Sequence, residues 1–252
     1  LGAGILRGYE AILFAAQNGA TVINCSWGGP GASPAEQDVI NTATELGSVI
    51  VAASGNDGAF LDVYDQYPSN YDNVISVGAS NSIDQVANFT NYGNQVAVYA
   101  PGQQIYSTMP NNSYSRQDGT SFASPIVAGL VGLIKSIHPD WNTKKIFHQL
   151  RSTSDKLNNV GNFQYLFIGR ANAFKAVIYN NSKYPDMTVP GIYAENLNIM
   201  NQNKALNLNG TNKLKVDLVN YLSTADNLTV TITPLDNYIN VKNTLFNIAK
   251  IE

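Results

Sequence analysis

The sequence is poor in charge: Asp, Glu, Lys and Arg make up 13% of its 252 residues, and the net charge is −3. That is about half the usual charged share, and it gives no reason to expect a nucleic-acid or polybasic membrane partner. Cysteine is nearly absent. The single Cys25 permits no internal disulfide, and its place in the apolar run "TVINCSW" fits a buried small hydrophobe better than a reactive thiol. No run approaches the roughly 18 consecutive apolar residues of a membrane span, and the opening "LGAGILRGYE" has neither a charged leader nor a long apolar core. An initiating Met is also missing, and a helical pattern is under way by about Ile5, so the chain reads as an internal piece of a longer polypeptide. Histidine, the commonest general base, occurs only twice. What remains is 44% hydrophobic, enough to fill a sizeable core in one or two domains.

Helix and strand signals alternate through the first two thirds. "GILRGYEAILFAAQNG" places Ile5, Tyr9, Ile12, Leu13 and Ala16 on one helical face and stops at Asn18-Gly19. "ATVINCSW" is short, continuous and β-branched, as a strand covered on both faces should be. "SPAE" offers Ser33 as N-cap, Pro34 at the first helical position and Glu36 at the capping-box position, with Val39, Ile40, Ala43 and Leu46 as the inner stripe. "SVIVAAS", "NVISVGAS" and "QVAVYAPG" follow as further buried strands. This rhythm predicts an α/β fold, a doubly wound and mostly parallel sheet with helices on both faces. The stretch "FASPIVAGLVGLI" is apolar all round and predicts an enclosed central helix; a second helix over about 142–153 and a last one at "NAFKAVIY" complete the domain at about residue 183. From about Tyr184 the segments "AENLNIM", "ALNLNG", "KLKVDLVNYL", "NLTVTITPL" and "YINVKN" alternate apolar with polar residues. Residues 184–252 therefore read as the start of an accessory, Ig-like β-sandwich, cut short before it can close.

Ligands of such sheets sit beyond the carboxyl ends of the strands. Those ends are "SWGG" (Ser26 to Gly29) and "SGNDG" (Ser54 to Gly58), and "DGTSFASP" would bring Ser121 to the same edge at the start of the central helix. A serine hydroxyl becomes a nucleophile when a base takes its proton, and the oxyanion then needs fixed donors. The Ser121 backbone N–H, aided by the helix dipole, supplies one donor, and Asn56 on its Gly-flanked turn is placed to supply another. The plainer alternatives are a helix cap for Ser121 and a turn residue for Asn56. The base is missing. His138 closes the helix that Ser121 opens, about 25 Å away along its axis. His148 is expected on the exposed side of the following helix.

"GTSFASPIVAGLVGLI", "VIVAASGNDG", "VINCSWGG", "YPSNYDNVISVGAS" and "APGQQIYST" resemble, in order and spacing, successive motifs of the subtilisin-like serine peptidases, the subtilases of peptidase family S8. The resemblance covers roughly residues 1 to 180 and implies a subtilisin-like fold whose N-terminal elements, with the triad Asp and the His of a "HGTHVAG"-like motif, lie upstream of this chain. It implies a serine endopeptidase working through an acyl-enzyme, with Ser121 as nucleophile and Asn56 in the oxyanion hole. It assigns Ser26, Trp27 and Gly28 to the strand that pairs with an extended substrate. By the same resemblance Ala53, Ser54 and Gly55 match the opposite wall, Gly119 and Thr120 are expected to complete the substrate site, and Tyr67-Pro68 matches a turn in which the family can hold a cis proline. Protein or peptide substrates, and secretion or display at the cell surface, follow from the same resemblance.

Three positions depart from the family pattern: Phe122 stands in place of a common Met, Trp27 is larger than usual, and Gln66 replaces a Gly that often floors the specificity pocket. No cofactor is needed for the chemistry and no metal ligands are assigned. Asp57, Asp62, Asp65 and Asp72 crowd one loop, where structural Ca²⁺ is an option beside simple solvated charge. The chain alone, without its base, is expected to be nearly inactive. A non-catalytic peptide-binding scaffold that keeps the groove is the alternative. An α/β-hydrolase is disfavoured because Ala123 occupies the second Gly position of a G-x-S-x-G elbow.

Overall fold

The computed structural model describes residues 7–158 and 168–178 and, further on, the strands within 187–251; the chain divides into two compact units, Leu1–Asn180 and Asn181–Glu252. In the first unit, β1 (Val22–Cys25), β2 (Val49–Ala53), β3 (Val74–Ser80) and β4 (Val96–Pro101) lie side by side in that order. Every neighbouring pair is parallel. Parallel strands need crossovers, and α1 (Gly8–Gln17) and α2 (Pro34–Glu45) flank β1 in the chain accordingly. A hairpin of β5 (Ile105–Met109) and β6 (Ser113–Gln117) leads into α3 (Thr120–Ile137), which is followed by α4 (Thr143–Ser152) and α5 (Ala173–Ile178).

Alternation along the strands splits the core in two, because successive side chains leave opposite faces of a sheet. Val49, Val51, Ile75 and Val77 pack with Val127, Val131 and Ile134 of α3 and with Ile146 and Leu150 of α4. Ile50 and Ala52 face the other way, onto Ile12 and Ala16 of α1 and Ile40 and Ala43 of α2. The sheet is thus doubly wound, with helices on both faces. Cys25 is buried in the second core, and desolvation pushes its thiol up to about 12, as befits a packing residue.

Several local expectations are corrected by tertiary cover. Strand β1 is not enclosed on both faces: it is one edge of the sheet among the described residues, Val22 and Ile23 are half-buried and Asn24 is exposed. Ser33 does cap α2 by position, but its side chain makes no capping bond, and Glu36 accepts a hydrogen bond from the Tyr71 hydroxyl at 2.7 Å instead of closing a capping box. Leu46, expected inside, lies beyond the last turn of α2 and is exposed. Helix α3, with 18 residues and a mean hydropathy of 1.5, is long and apolar enough to cross a membrane by composition, yet its inner stripe belongs to the sheet core. It is not enclosed all round among the described residues, since Ile126, Leu133 and Ile137 remain 45–54% exposed. His148 is buried at 5%, not solvated: α4 packs on β3 and β4 with one side, while neighbouring Gln149 donates to the Ala176 carbonyl of α5 on another. The place expected for Ile5 on α1 lies outside the described residues.

In the second unit, β7 (Met187–Glu195) pairs antiparallel with β8 (Lys213–Asn220), and β9 (Ala225–Thr231) with β10 (Leu245–Ile251). Strands β8 and β9 fall on expected segments, β7 only overlaps one and β10 was not expected. The expected strands at "ALNLNG" and "YINVKN" lie outside the described residues.

Candidate active site

Ser121 sits in the first turn of α3, where backbone N–H groups have no intrahelical acceptor. The helix carries Pro125 four residues further on. Proline has no N–H, so the Ser121 carbonyl loses its helical donor. The Ser26 hydroxyl, just past the end of β1, replaces it at 2.8 Å. Ser26 in turn accepts from Asn24 Nδ2 at 2.9 Å, and Asn24 Oδ1 accepts from the Ser124 hydroxyl at 2.5 Å. Polar side chains therefore lace the strand end to the helix start. The Ser121 hydroxyl completes the exchange by donating to the Ser26 carbonyl at 3.2 Å.

The turn after β2 carries Asn56. Gly55 has φ +103°, a conformation that suits glycine, and a Cβ there would collide with the Asn91 carboxamide. Asn91 is the inner scaffold of this loop, its Oδ1 accepting from the backbone of Asp57 and of Ala59, both at 2.9 Å. The Asn56 Oδ1 accepts from the Thr120 N–H at 2.8 Å and from the Thr120 hydroxyl at 2.9 Å. Its amide nitrogen is the end left over. A Cβ built on Gly119 would lie 3.7 Å from both Asn56 Nδ2 and the Ser121 backbone nitrogen, so the two donors border one small volume.

Both residues line a cleft of about 430 Å³ with Trp27, Gly28, Ala53, Gly55 and Thr120. The remaining expected site residues, Ser26, Ser54 and Gly119, do not line it. Ser26 reaches Ser121 as described; Ser54 is fully buried, its hydroxyl donating to the Asn91 carbonyl at 3.1 Å; Gly119 is fixed by its N–H on the Gly102 carbonyl at 2.8 Å. Gln66 also lines the cleft. A Cβ at Gly28 would strike its Nε2, and one at Gly55 would lie 3.2 Å from its Cδ, so the carboxamide fills the space between those two glycines. The Tyr67–Pro68 bond that follows is cis, as the motif implied.

Neither histidine lines the cleft: His138 closes α3 and stacks on Trp141, with ring centroids 3.9 Å apart. The four aspartates do not converge. Asp62 takes the backbone and side-chain nitrogens of Asn94, Asp57 faces Asn91, Asp65 faces the Tyr67 hydroxyl, and Asp72 meets Gln37 through its backbone. Among the described residues no group of three or more His, Cys, Asp or Glu comes together to hold a metal. Sequence reasoning missed Asn91 and Thr90, buried to 1–2%, whose polarity in "FTNYG" reads locally as loop. It missed Pro125 as well, although a proline four residues after a proposed nucleophile is a legible signal that the carbonyl there needs an outside donor.

The family model of the subtilase family matches residues 5–169. The chain is 42% identical over 170 residues to a thermophilic serine proteinase of Bacillus sp. (strain AK1), covering 68% of this chain and 41% of that protein. It is 40% identical over 170 residues to thermitase of Thermoactinomyces vulgaris, covering 68% and 58%. Among solved structures, a protease from Pseudoalteromonas arctica PAMC 21717 superposes with a TM-score of 0.62 at 31% identity, covering 67% of this chain and 57% of the other. A parallel sheet edged by a helix-borne serine, set in these sequence blocks, defines a subtilisin-like α/β protein. The chain belongs to the subtilase family. It spans about 41–58% of the length of these curated relatives.

Proposed function

We propose that this chain is the serine-bearing part of a secreted or cell-surface serine endopeptidase. Ser121 Oγ attacks the scissile carbonyl while a His, oriented by an Asp, takes its proton; both partners come from polypeptide upstream of residue 1. The oxyanion is held by the Ser121 backbone N–H and Asn56 Nδ2. Collapse breaks the C–N bond, the His gives its proton to the leaving amine, and water then hydrolyses the acyl-enzyme by the same steps in reverse order. The peptide lies along Ser26, Trp27 and Gly28, with one side chain in the cleft that Ala53, Gly55 and Gln66 bound. Residues 184–252 begin an accessory β-sandwich.

The observation that carries this reading is the shared cleft. Ser121 and Asn56 line it together, and Thr120 already occupies the carbonyl end of the Asn56 side chain, leaving the donor end. Without its base, the 252-residue chain alone retains only binding and oxyanion contributions, which fall orders of magnitude short of a full triad. A fluorophosphonate probe should label the full natural polypeptide at Ser121 and leave Ser121→Ala unlabelled. Absence of label in a folded full-length protein would instead support a peptide-binding scaffold without catalysis.

A further inference from the structure

Bordering the Ser121 cleft along the Trp27–Pro30 segment is a second recess of about 230 Å³, lined also by Tyr9, Glu36 and Tyr67. The two cavities share Trp27, Gly28, Gly29 and Pro30 as a common wall. Its chemistry differs from the first. Aromatic rings dominate: Tyr9 stands edge-on to Trp27 at 5.3 Å between centroids, and Tyr67 packs on Tyr71 at 4.4 Å. A single carboxylate, Glu36, enters among them.

Glu36 is held in place. The buried Tyr71 hydroxyl donates to its Oε2 at 2.7 Å and itself accepts from the Ser33 N–H at 2.8 Å, so carboxylate, ring and the start of α2 are locked together. Burial, followed by the charge of Glu36, raises the Tyr9 phenol above its ordinary value, which keeps that hydroxyl a neutral donor beside the carboxylate. A carboxylate has about four acceptor positions, and the Tyr71 and Tyr9 hydroxyls account for two of them. Among the described residues no Lys or Arg pairs with Glu36. The recess thus offers a fixed anion, with acceptor capacity to spare, between π faces. That combination recognises a guanidinium or ammonium group, which gains both from the carboxylate and from ring quadrupoles.

We propose that Glu36 is a specificity-determining residue: with Tyr9 and Trp27 it selects a basic side chain, Arg or Lys, at a substrate position other than the one that enters the Ser121 cleft. This rests on the proposed peptidase reading for the direction of the chain, but not for the recognition itself. Placement follows from the shared residues, because successive side chains of an extended peptide crossing Trp27 and Gly28 point in opposite directions, so the two cavities receive different side chains.

The test separates recognition from turnover. Full-length protein carrying Ser121→Ala is titrated calorimetrically with a peptide series in which Arg, or its neutral isostere citrulline, is scanned through each position while the residue for the Ser121 cleft is held constant. At one position the Arg peptide should bind about tenfold more tightly than its citrulline partner. Glu36→Gln, which still accepts from Tyr71, should abolish that ratio, and Trp27→Leu should reduce it. Equal affinity of Arg and citrulline peptides at every position, a preference that survives Glu36→Gln, or no binding at all would each overturn the proposal. Failure of the unmodified enzyme to cleave any peptide would strike the peptidase reading and leave this measurement standing.

Discussion

The Ser26 hydroxyl donates to the Ser121 carbonyl at 2.8 Å, standing in for the helical N–H that Pro125 cannot supply. Ser26→Ala should therefore orphan a half-buried carbonyl and destabilise the protein by about 1–2 kcal/mol. Pro125→Ala restores a backbone donor to the same oxygen. Chemical denaturation of both single variants and the double variant checks the argument: the double variant should recover part of the loss, and strictly additive effects would contradict it.

Thr120 fixes the Asn56 carboxamide through two donors to one oxygen. Under the proposed reaction, Asn56→Leu in the full-length protein should lower kcat by about 10²–10³ with little change in KM. Thr120→Val removes one of these donors, and with it the acceptor of the Gly55 N–H at 3.2 Å; kcat should drop by a smaller factor of about 2–10, the equivalent of one net hydrogen bond at the carboxamide. Thr120→Ser should recover it. Steady-state kinetics that rank Thr120→Val above Asn56→Leu would refute this order of importance.

Gln66 fills the gap between Gly28 and Gly55. Gln66→Gly should deepen the cleft and shift preference at the residue before the scissile bond towards large side chains. The ratio of kcat/KM for a Phe over an Ala substrate should rise by about tenfold or more. Unchanged side-chain preference would mean that Gln66 does not floor the specificity site.

Asp155 ties the end of α4 to the start of α5. A hydrogen bond from Lys175 Nζ at 2.5 Å, then one from Asn172 Nδ2 at 2.8 Å, holds its carboxyl below the ordinary 3.8. A depressed carboxylate contributes stability that is fully present above its unfolded pKa and is lost as pH falls through the folded one. The acid limb of the stability profile, below about pH 4, should thus be shallower in Asp155→Asn than in the parent. Urea midpoints at pH 7 and pH 3 measure it; parallel losses in both proteins would assign the acid sensitivity elsewhere.

The parallel sheet, the helix with Ser121 in its first turn and the turn that carries Asn56 were all legible, because each rests on local signals: continuous β-branched runs, Gly-rich strand ends, and a small-residue helix. What the sequence hid was cover. His148 has the spacing of an outward residue on α4, and only the packing of the second side of that helix buries it. Glu36 sits at a capping-box position, yet Tyr71, 35 residues away, claims its carboxylate. Asn91 serves a loop 34 residues upstream of it. In each case the decisive partner is distant in the chain, and no window of local pattern contains it.

At rest, the Ser121 hydroxyl leans on the Ser26 carbonyl at 3.2 Å. That bond joins the end of β1 to the first turn of α3. Any donor that claimed the Ser26 carbonyl would free the hydroxyl, so the strand edge and the helix tip answer to one another.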